Sequence, residues 1–437
     1  MKKIITLVAL IISAGLFVSC GKKSSEIKSV KNAKAEQVQV NTVQTSSVQA
    51  TQVQEIAEEK IERVQKEPLY VSAEKHGFKM GGAIGAGEMY KDKYKNMIAS
   101  DFNSVTPTNE LKLYSLLDSA NRNTKNGMPA MKWGNADKIL SWAQENNIKV
   151  RGHVLVWDAY MTEWFFYEDY NNKVLADAET IKERMKYCIN EVISHCEEKF
   201  PGVIYAWDVV NEAVADGMNE TKSDDPCRIR TSRSGTKNLY YETIGRDYVK
   251  YAFKYARECV EKNGYDIKLF YNDYNNFYAD KRKAIINLVQ EVNAKDKINP
   301  EGKILVDGIG MQGYVGGYGT QAGCMNEGDI RSIKETIELY ASLGFEVQIT
   351  EMAVRNYDKT QEAKHAEYYG KMASMLRDIN KTANGKFTCW AIWALVDNPG
   401  LDKNNYVYKM NGPYGGIFDW QYNKKDELYN ISDALAL

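Results

Sequence analysis

From Tyr70 to the C-terminus, eight short apolar runs alternate with longer amphipathic stretches, and this alternation limits the fold more than any other feature of the chain. The candidate strands are residues 78–84, 103–106, 149–157, 203–210, 268–274, 304–312, 346–350 and 387–395. Between them, stretches such as 136–146, 181–199, 246–263, 281–293, 330–342 and 361–381 space their apolar residues for one face of a helix. Strand and helix in this order imply a parallel sheet with crossover helices. Eight such units predict an α/β chain closed as a single (β/α)8 TIM barrel over residues 67–437. No second fold is visible, and nothing repeats at the period of a solenoid.

Polar residues end these runs where packing alone would favour apolar ones. Asn109, His153, Asn211 with Glu212, Asn272 with Asp273, Gln312 and Glu351 all fall there. In a barrel the strand C-termini converge on one face, so residues distant in sequence become neighbours. A lone glutamate at such a place serves equally well as a helix cap or a surface ion-pair partner. Glu212 and Glu351, however, end the fourth and seventh strands, across the barrel mouth from one another. Hydrolysis of an acetal needs an acid for the leaving oxygen and a nucleophile or base for the anomeric carbon. Two carboxylates in different environments supply both roles.

Charge excludes one alternative class. Lys and Arg total 57 against 58 Asp and Glu, so a strongly cationic surface for nucleic acid is absent. The 29 Tyr and 8 Trp supply faces suited to sugar rings, although cores use them too. The N-terminus is a targeting segment: Lys2 and Lys3 precede an apolar run over 4–18, followed by Ser19-Cys20-Gly21. That run is too short to span a bilayer comfortably. It resembles a bacterial lipoprotein signal over residues 1–20, with Cys20 as the lipid-bearing residue of an exported protein at the cell surface or outer membrane. Residues 21–66 hold no aromatic side chain and are rich in Lys, Gln, Ser, Thr and Glu. They read as a flexible polar linker, with an r.m.s. reach of about 35–40 Å. The remaining cysteines, Cys188, Cys196, Cys227, Cys259, Cys324 and Cys389, form no metal-binding pattern and read mostly as buried thiols. Asp224-Asp225, in the long segment 216–240, lacks the spacing of a calcium loop, so neither a metal nor another cofactor is expected.

Six stretches carry a specific resemblance. They are Asn103-Ser-Val-Thr-Pro-Thr-Asn-Glu-Leu-Lys112, Val150-Arg-Gly-His-Val-Leu-Val-Trp157, Trp207-Asp-Val-Val-Asn-Glu212, Leu269-Phe-Tyr-Asn-Asp-Tyr-Asn275, Val306-Asp-Gly-Ile-Gly-Met-Gln312 and Gln348-Ile-Thr-Glu351. In this order and at barrel spacing they resemble glycoside hydrolase family 10, the endo-β-1,4-xylanases, over nearly the whole chain after residue 66. The resemblance implies a retaining double displacement, with Glu351 as nucleophile and Glu212 as general acid/base. Retention implies carboxyl groups about 5–5.5 Å apart. It further implies that Asn211 bonds the sugar 2-hydroxyl, that Asn109, Lys112, His153 and Trp157 hold glycone-side sugars, and that Gln312 and Trp390 line the cleavage subsite. The partner would be a polysaccharide, the chain a monomer.

Several positions depart from that family's pattern. Thr108 stands where a Glu is usual, Leu113-Tyr114 replace Trp-Asp, and Asp158-Ala159-Tyr160 replace His-Ser-Gln. Trp393 appears at a new place on the last strand. Tyr314 stands where a His normally bonds the nucleophile, and Ala353 where an Asp normally orients that His. A phenol needs no tautomer fixed, so the paired loss is chemically coherent, and Tyr314 is expected to donate directly to Glu351. The changed glycone side leaves a different β-linked glycan open as substrate. A non-catalytic glycan-binding lipoprotein is the reading from another class.

Overall fold

The computed structural model describes residues 63–124 and 126–437. The signal segment 1–20 with Cys20, and the linker as far as residue 62, lie outside the described residues. The last four residues assigned to the linker, 63–66, are packed on the folded body. Arg63 donates to Asp433 at 2.6 Å, Asn430 at 3.0 Å and Asp426 at 3.2 Å, and Gln65 donates to Asp101 at 2.6 Å. The body therefore starts ahead of residue 67, because these two polar side chains find fixed partners.

Parallel strands β1 (Lys79–Ile84), β2 (Ser104–Pro107), β3 (Lys149–Val156), β4 (Ile204–Asn211), β5 (Lys268–Asp273), β6 (Gly308–Met311), β7 (Glu346–Val354) and β8 (Phe387–Ile392) pair in sequence order. Strand β8 pairs with both β7 and β1, which closes the barrel. Around it run α1 (Asp92–Asp101), α2 (Gly134–Glu145), α3 (Ala178–Lys199), α4 (Tyr248–Asn263), α5 (Ala279–Asn293), α6 (Glu327–Ser342), α7 (Glu362–Ile379) and α8 (Asp426–Leu435). Local chemistry sets their ends. Asp177 caps α3 by accepting from Thr180 N at 2.8 Å, and Gly264 ends α4 in the left-handed conformation. Among the described residues no helix is long and apolar enough to cross a membrane, and the six cysteines there are free and buried.

Strand β8, expected to residue 395, ends at Ile392, and two further strands depart from their expected lengths for identifiable reasons. β6 was expected from residue 304, but Asn293 Oδ1 accepts from Leu305 N at 2.8 Å and Val306 N at 2.9 Å. That backbone is committed elsewhere, so laddering begins only at Gly308. β7 was expected to stop at residue 350 but continues to Val354, because Tyr314–Val315 pairs alongside Ala353–Val354.

The barrel interior is filled by a few large polar and aromatic groups made room for by small ones. A Cβ on Gly308 would meet Phe270 at 2.3 Å, so the bare backbone of β6 is what admits that ring. Arg151 lies over Phe270, its guanidinium 5.5 Å from the ring centroid. It donates twice to Asp208, at 2.7 and 3.0 Å, and once to Gln348 at 2.5 Å. Arg151 and Asp208 are fully buried, so each charge depends on the other. Arg151→Met is expected to lower the unfolding free energy by about 3–5 kcal/mol, measured by urea denaturation, since Asp208 would remain buried without its cation.

Candidate active site

The strand ends that carry the polar residues meet at one face, over a cleft of about 920 Å³. Asn109, Lys112, His153, Trp157, Asn211, Glu212, Gln312, Tyr314 and Glu351 all line it. A second hollow of about 560 Å³ lies at the other end of the barrel, among Lys79, Lys149, Lys268 and Glu346, and contains none of these residues.

The floor of the cleft is a hydrogen-bonded chain running from one carboxylate to the other. Asn272 Nδ2, at the end of β5, donates to Glu351 Oε1 at 3.0 Å and to Asn211 Oδ1 at 2.9 Å. Asn211 Nδ2 donates onward to Glu212 Oε1 at 3.1 Å. Gln312 Nε2 joins the same two partners, at 2.8 Å from Glu212 Oε1 and 3.2 Å from Asn211 Oδ1. Thr350 fixes the Asn272 amide from behind by donating to its Oδ1 at 2.7 Å. Gly310 makes the space, since a Cβ there would lie 2.4 Å from that same Oδ1. Glu212 follows β4 with φ at +55°, a left-handed backbone that is costly for a residue with a side chain. Its N–H still donates to Asn272 O, at 2.9 Å, so the turn is held by the neighbouring strand.

Glu351 sits in the opposite wall. Tyr314 donates its phenolic hydrogen to Glu351 Oε2 at 2.9 Å. Tyr314 and Ala353 are register partners on adjacent strands, so the two positions that depart together in sequence touch in space. Burial pushes the Glu351 carboxyl above its ordinary range, and the charge of Glu212 adds to this, while His153 and Lys112 pull the other way. His153 lies against Asp208, Nδ1 to Oδ2 at 2.9 Å, and with a carboxylate as partner that nitrogen is the donor.

A polar and aromatic wall follows β2 and β3. Lys112 Nζ donates to Asn109 Oδ1 at 3.2 Å and stands 4.9 Å from the Trp157 ring centroid. Burial lowers the pKa of Lys112, opposed by the charges of Glu351 and Glu212. Tyr160 packs on Trp157 at 4.9 Å and on Tyr114 at 5.6 Å between centroids, so the tyrosines that mark the sequence departures form one aromatic patch.

One expected residue is misplaced. Trp390 is wholly buried, donates to Met352 Sδ at 3.0 Å, and packs toward Tyr369 of α7. Its neighbours Cys389 and Ala391 approach Gly81 inside the barrel, so alternation along β8 sends Trp390 outward. Trp393, just past the end of β8, lines the cleft instead. Sequence reading gave no role to Asn272 or Asp158, though it singled both out, and left out Arg233, Tyr406 and Trp420, all at or beside the cleft. Asn272 carried a signal, being polar at a strand end; the others lie on loops where periodicity says nothing. Asp225 in the long loop accepts from Cys227 N and Ile229 N, at 3.0 and 3.1 Å, and serves as a turn anchor. Among the described residues no group of three or more His, Cys, Asp or Glu is placed to hold a metal.

Comparison with known proteins agrees with this geometry. A family profile for glycosyl hydrolase family 10 matches residues 69–434. A Caldicellulosiruptor saccharolyticus protein is 37% identical over 304 residues, which is 67% of this chain and 89% of the relative. Endo-1,4-beta-xylanase B of Butyrivibrio fibrisolvens is 31% identical over 82% of the chain, and endo-1,4-beta-xylanase A of Thermotoga maritima 35% over 78%. The chain spans 52% and 29% of the lengths of those two relatives. Among solved structures, the endo-1,4-beta-xylanase of Caldicellulosiruptor owensensis superposes with a TM-score of 0.66 at 26% identity, covering 84% of this chain and 99% of that one. The N-terminal endo-1,4-beta-D-xylanase 10B modules of Clostridium thermocellum, complexed with xylohexaose, give 0.70 at 25% identity, covering 84% and 67%.

The contact between Tyr314 and Glu351 makes a measurable prediction. A donor to the ionised form favours that form, so its loss raises the carboxyl pKa. Tyr314→Phe should move the titration of Glu351 upward by about one pH unit or more, read from the carboxyl carbon in a labelled protein.

Proposed function

The chain belongs to glycosyl hydrolase family 10, and from that premise we propose a retaining endo-β-1,4-xylanase in which Glu351 is the nucleophile and Glu212 the general acid/base. The observation that carries this reading is the amide chain holding Glu212 and Glu351 across one cleft. A protein that only binds glycans gains nothing from drawing two like charges together.

In the first step Glu351 attacks the anomeric carbon, the glycosidic C–O bond breaks, and Glu212 gives its proton to the departing oxygen. In the second, Glu212 takes a proton from water, whose oxygen displaces Glu351 and restores the original anomeric configuration. Asn211 uses one N–H on Glu212 and accepts at its oxygen from Asn272 and Gln312. Its second N–H remains for the sugar 2-hydroxyl, a bond that strengthens in the transition state. Asn109, Lys112, His153 and Trp157 hold the glycone, with Gln312, Tyr314 and Trp393 around the cleaved sugar.

For the segments outside the described residues, the proposal is export and lipid attachment at Cys20, with a polar tether holding a monomeric enzyme at the bacterial cell surface or outer membrane. The run of apolar residues over 4–18 ahead of Ser19-Cys20-Gly21 supports it, and Gly21 offers no aspartate of the kind that retains a lipoprotein in an inner membrane. Cys20→Ala should shift the protein from the membrane fraction to the soluble one; unchanged partition would remove the anchor.

Glu351→Ala is expected to reduce turnover of xylan by roughly 10⁴-fold or more while polymer binding persists. Retained turnover would mean that the nucleophile lies elsewhere. Reducing-end assays on xylan, mixed-linkage glucan and carboxymethylcellulose should show activity on xylan. Product from glucan alone would transfer the same mechanism to another polymer, and product from none would favour a binding protein.

A further inference from the structure

Glu212 has a third partner that neither oxygen's role in the proposed reaction requires. Arg233 Nη1 donates to Glu212 Oε2 at 2.9 Å, and Arg233 Nη2 reaches the Glu212 backbone carbonyl at 3.3 Å. The same guanidinium is clamped by Asp158, which accepts from Nη2 at 2.9 Å and from Nε at 3.3 Å. Asp158 follows β3 and is almost fully buried, whereas Arg233 keeps about a quarter of its side chain exposed. Arg233 projects from a short hairpin, Ser232–Arg233 against Thr236–Lys237. Glu220 holds that hairpin by accepting from Ser234 N at 2.9 Å and from Arg230.

This arrangement suits a base and not an acid. Glu212 Oε1 already accepts from Asn211 and Gln312, and Oε2 accepts from a guanidinium that has no acceptor of its own. A proton on Oε2 would point at a donor. To act on a leaving oxygen, the carboxyl must therefore lose Arg233 from Oε2. We propose that Arg233 is a substrate-displaced latch. In the empty cleft it pairs with Glu212 Oε2 and orients the carboxylate. As the leaving-group sugar enters, Arg233 withdraws onto Asp158 and leaves Oε2 free for the proton and the glycosidic oxygen. Arg233 is a positioning residue on this account, acting only through Glu212, and the inference rests on Glu212 being the acid/base.

Other charges face Glu212 and must be reckoned with. Glu351 from β7 and Asp273 from the end of β5 place negative charge beside it. Lys112 after β2 places positive charge there, as does Arg230, whose Nε lies 3.3 Å from the Glu212 carbonyl. His153 and the phenols of Tyr274, Tyr314 and Tyr406 complete the surroundings.

The test is the pH dependence of the xylo-oligosaccharide reaction in Arg233→Met, Arg233→Lys and Asp158→Asn. The alkaline limb of kcat/KM reports the acid in the free enzyme, and that of kcat the acid in the complex. Arg233→Met should raise the alkaline limb of kcat/KM by about one pH unit and move that of kcat much less. Arg233→Lys should fall between, and Asp158→Asn, which leaves Glu212 as the only charged partner of Arg233, should move the limb down. A dinitrophenyl glycoside departs without needing a proton, so its alkaline limb should stay put in all three variants. Equal shifts in kcat and kcat/KM, or none in either, would overturn the latch. Undiminished turnover of the oligosaccharide by Glu212→Gln would instead remove the acid/base assignment beneath it. If Arg233→Met fails to fold, the downward shift in Asp158→Asn decides the matter alone.

Discussion

The buried carboxylate of Asp208 joins the support of the barrel to its chemistry. Arg151 takes both of its oxygens from one side, and His153 takes one from the other. Arg151 reaches on to Gln348 of β7, so one charge cluster ties β3, β4 and β7 together beneath the cleft. Buried charges of this kind rarely add net stability over an apolar filling. What the cluster contributes is registration. With Asp208 ionised and pinned, His153 presents a fixed ring at the cleft floor, and β4 and β7 carry Glu212 and Glu351 at set heights. Burial works against the charge on Asp208, yet Arg151 and His153 hold its pKa below the ordinary carboxylate range.

Much of this was legible in sequence, and the reason is geometric. A parallel strand buried on both faces reads as an apolar run, and a polar residue at its C-terminal end has no packing purpose. That contrast exposed Asn211, Glu212, Gln312 and Glu351 without any coordinates. It failed where alternation had to be phased over few residues. On β8, Trp390 and Trp393 are both aromatic and close together, and only the inward approach of Cys389 and Ala391 to Gly81 shows which one leaves the cleft. It failed as well at β6, where the Asn293 side chain occupies backbone donors that an apolar run had assigned to the ladder.

Loops were illegible for a different reason. Nothing in the order of residues 216–240 says that Arg233 reaches Glu212, because the contact depends on a hairpin and on a partner some seventy-five positions away. The departures from the family pattern did give indirect warning. Asp158 was marked as unusual, and it proves to be the counter-charge of Arg233. Tyr314 and Ala353 were marked together, and they are neighbours across two strands. Unusual residues that share a neighbourhood are more informative than either alone, since a substitution in a packed site seldom stands without its complement.

The glycines of β6 extend this logic to residues with no chemistry of their own. Gly310 has no side chain to reach either carboxylate, yet the volume its side chain would fill is what the Asn272 amide occupies. A survey that truncates polar residues one at a time would pass over it. Libraries that diversify the cleft for new substrates would be free at Tyr114 or Tyr160 but not here, where even a methyl group would displace the Asn272 amide that bonds Glu351 and Asn211. A position can thus be intolerant of change because it is empty, and its importance is measured by the space it leaves.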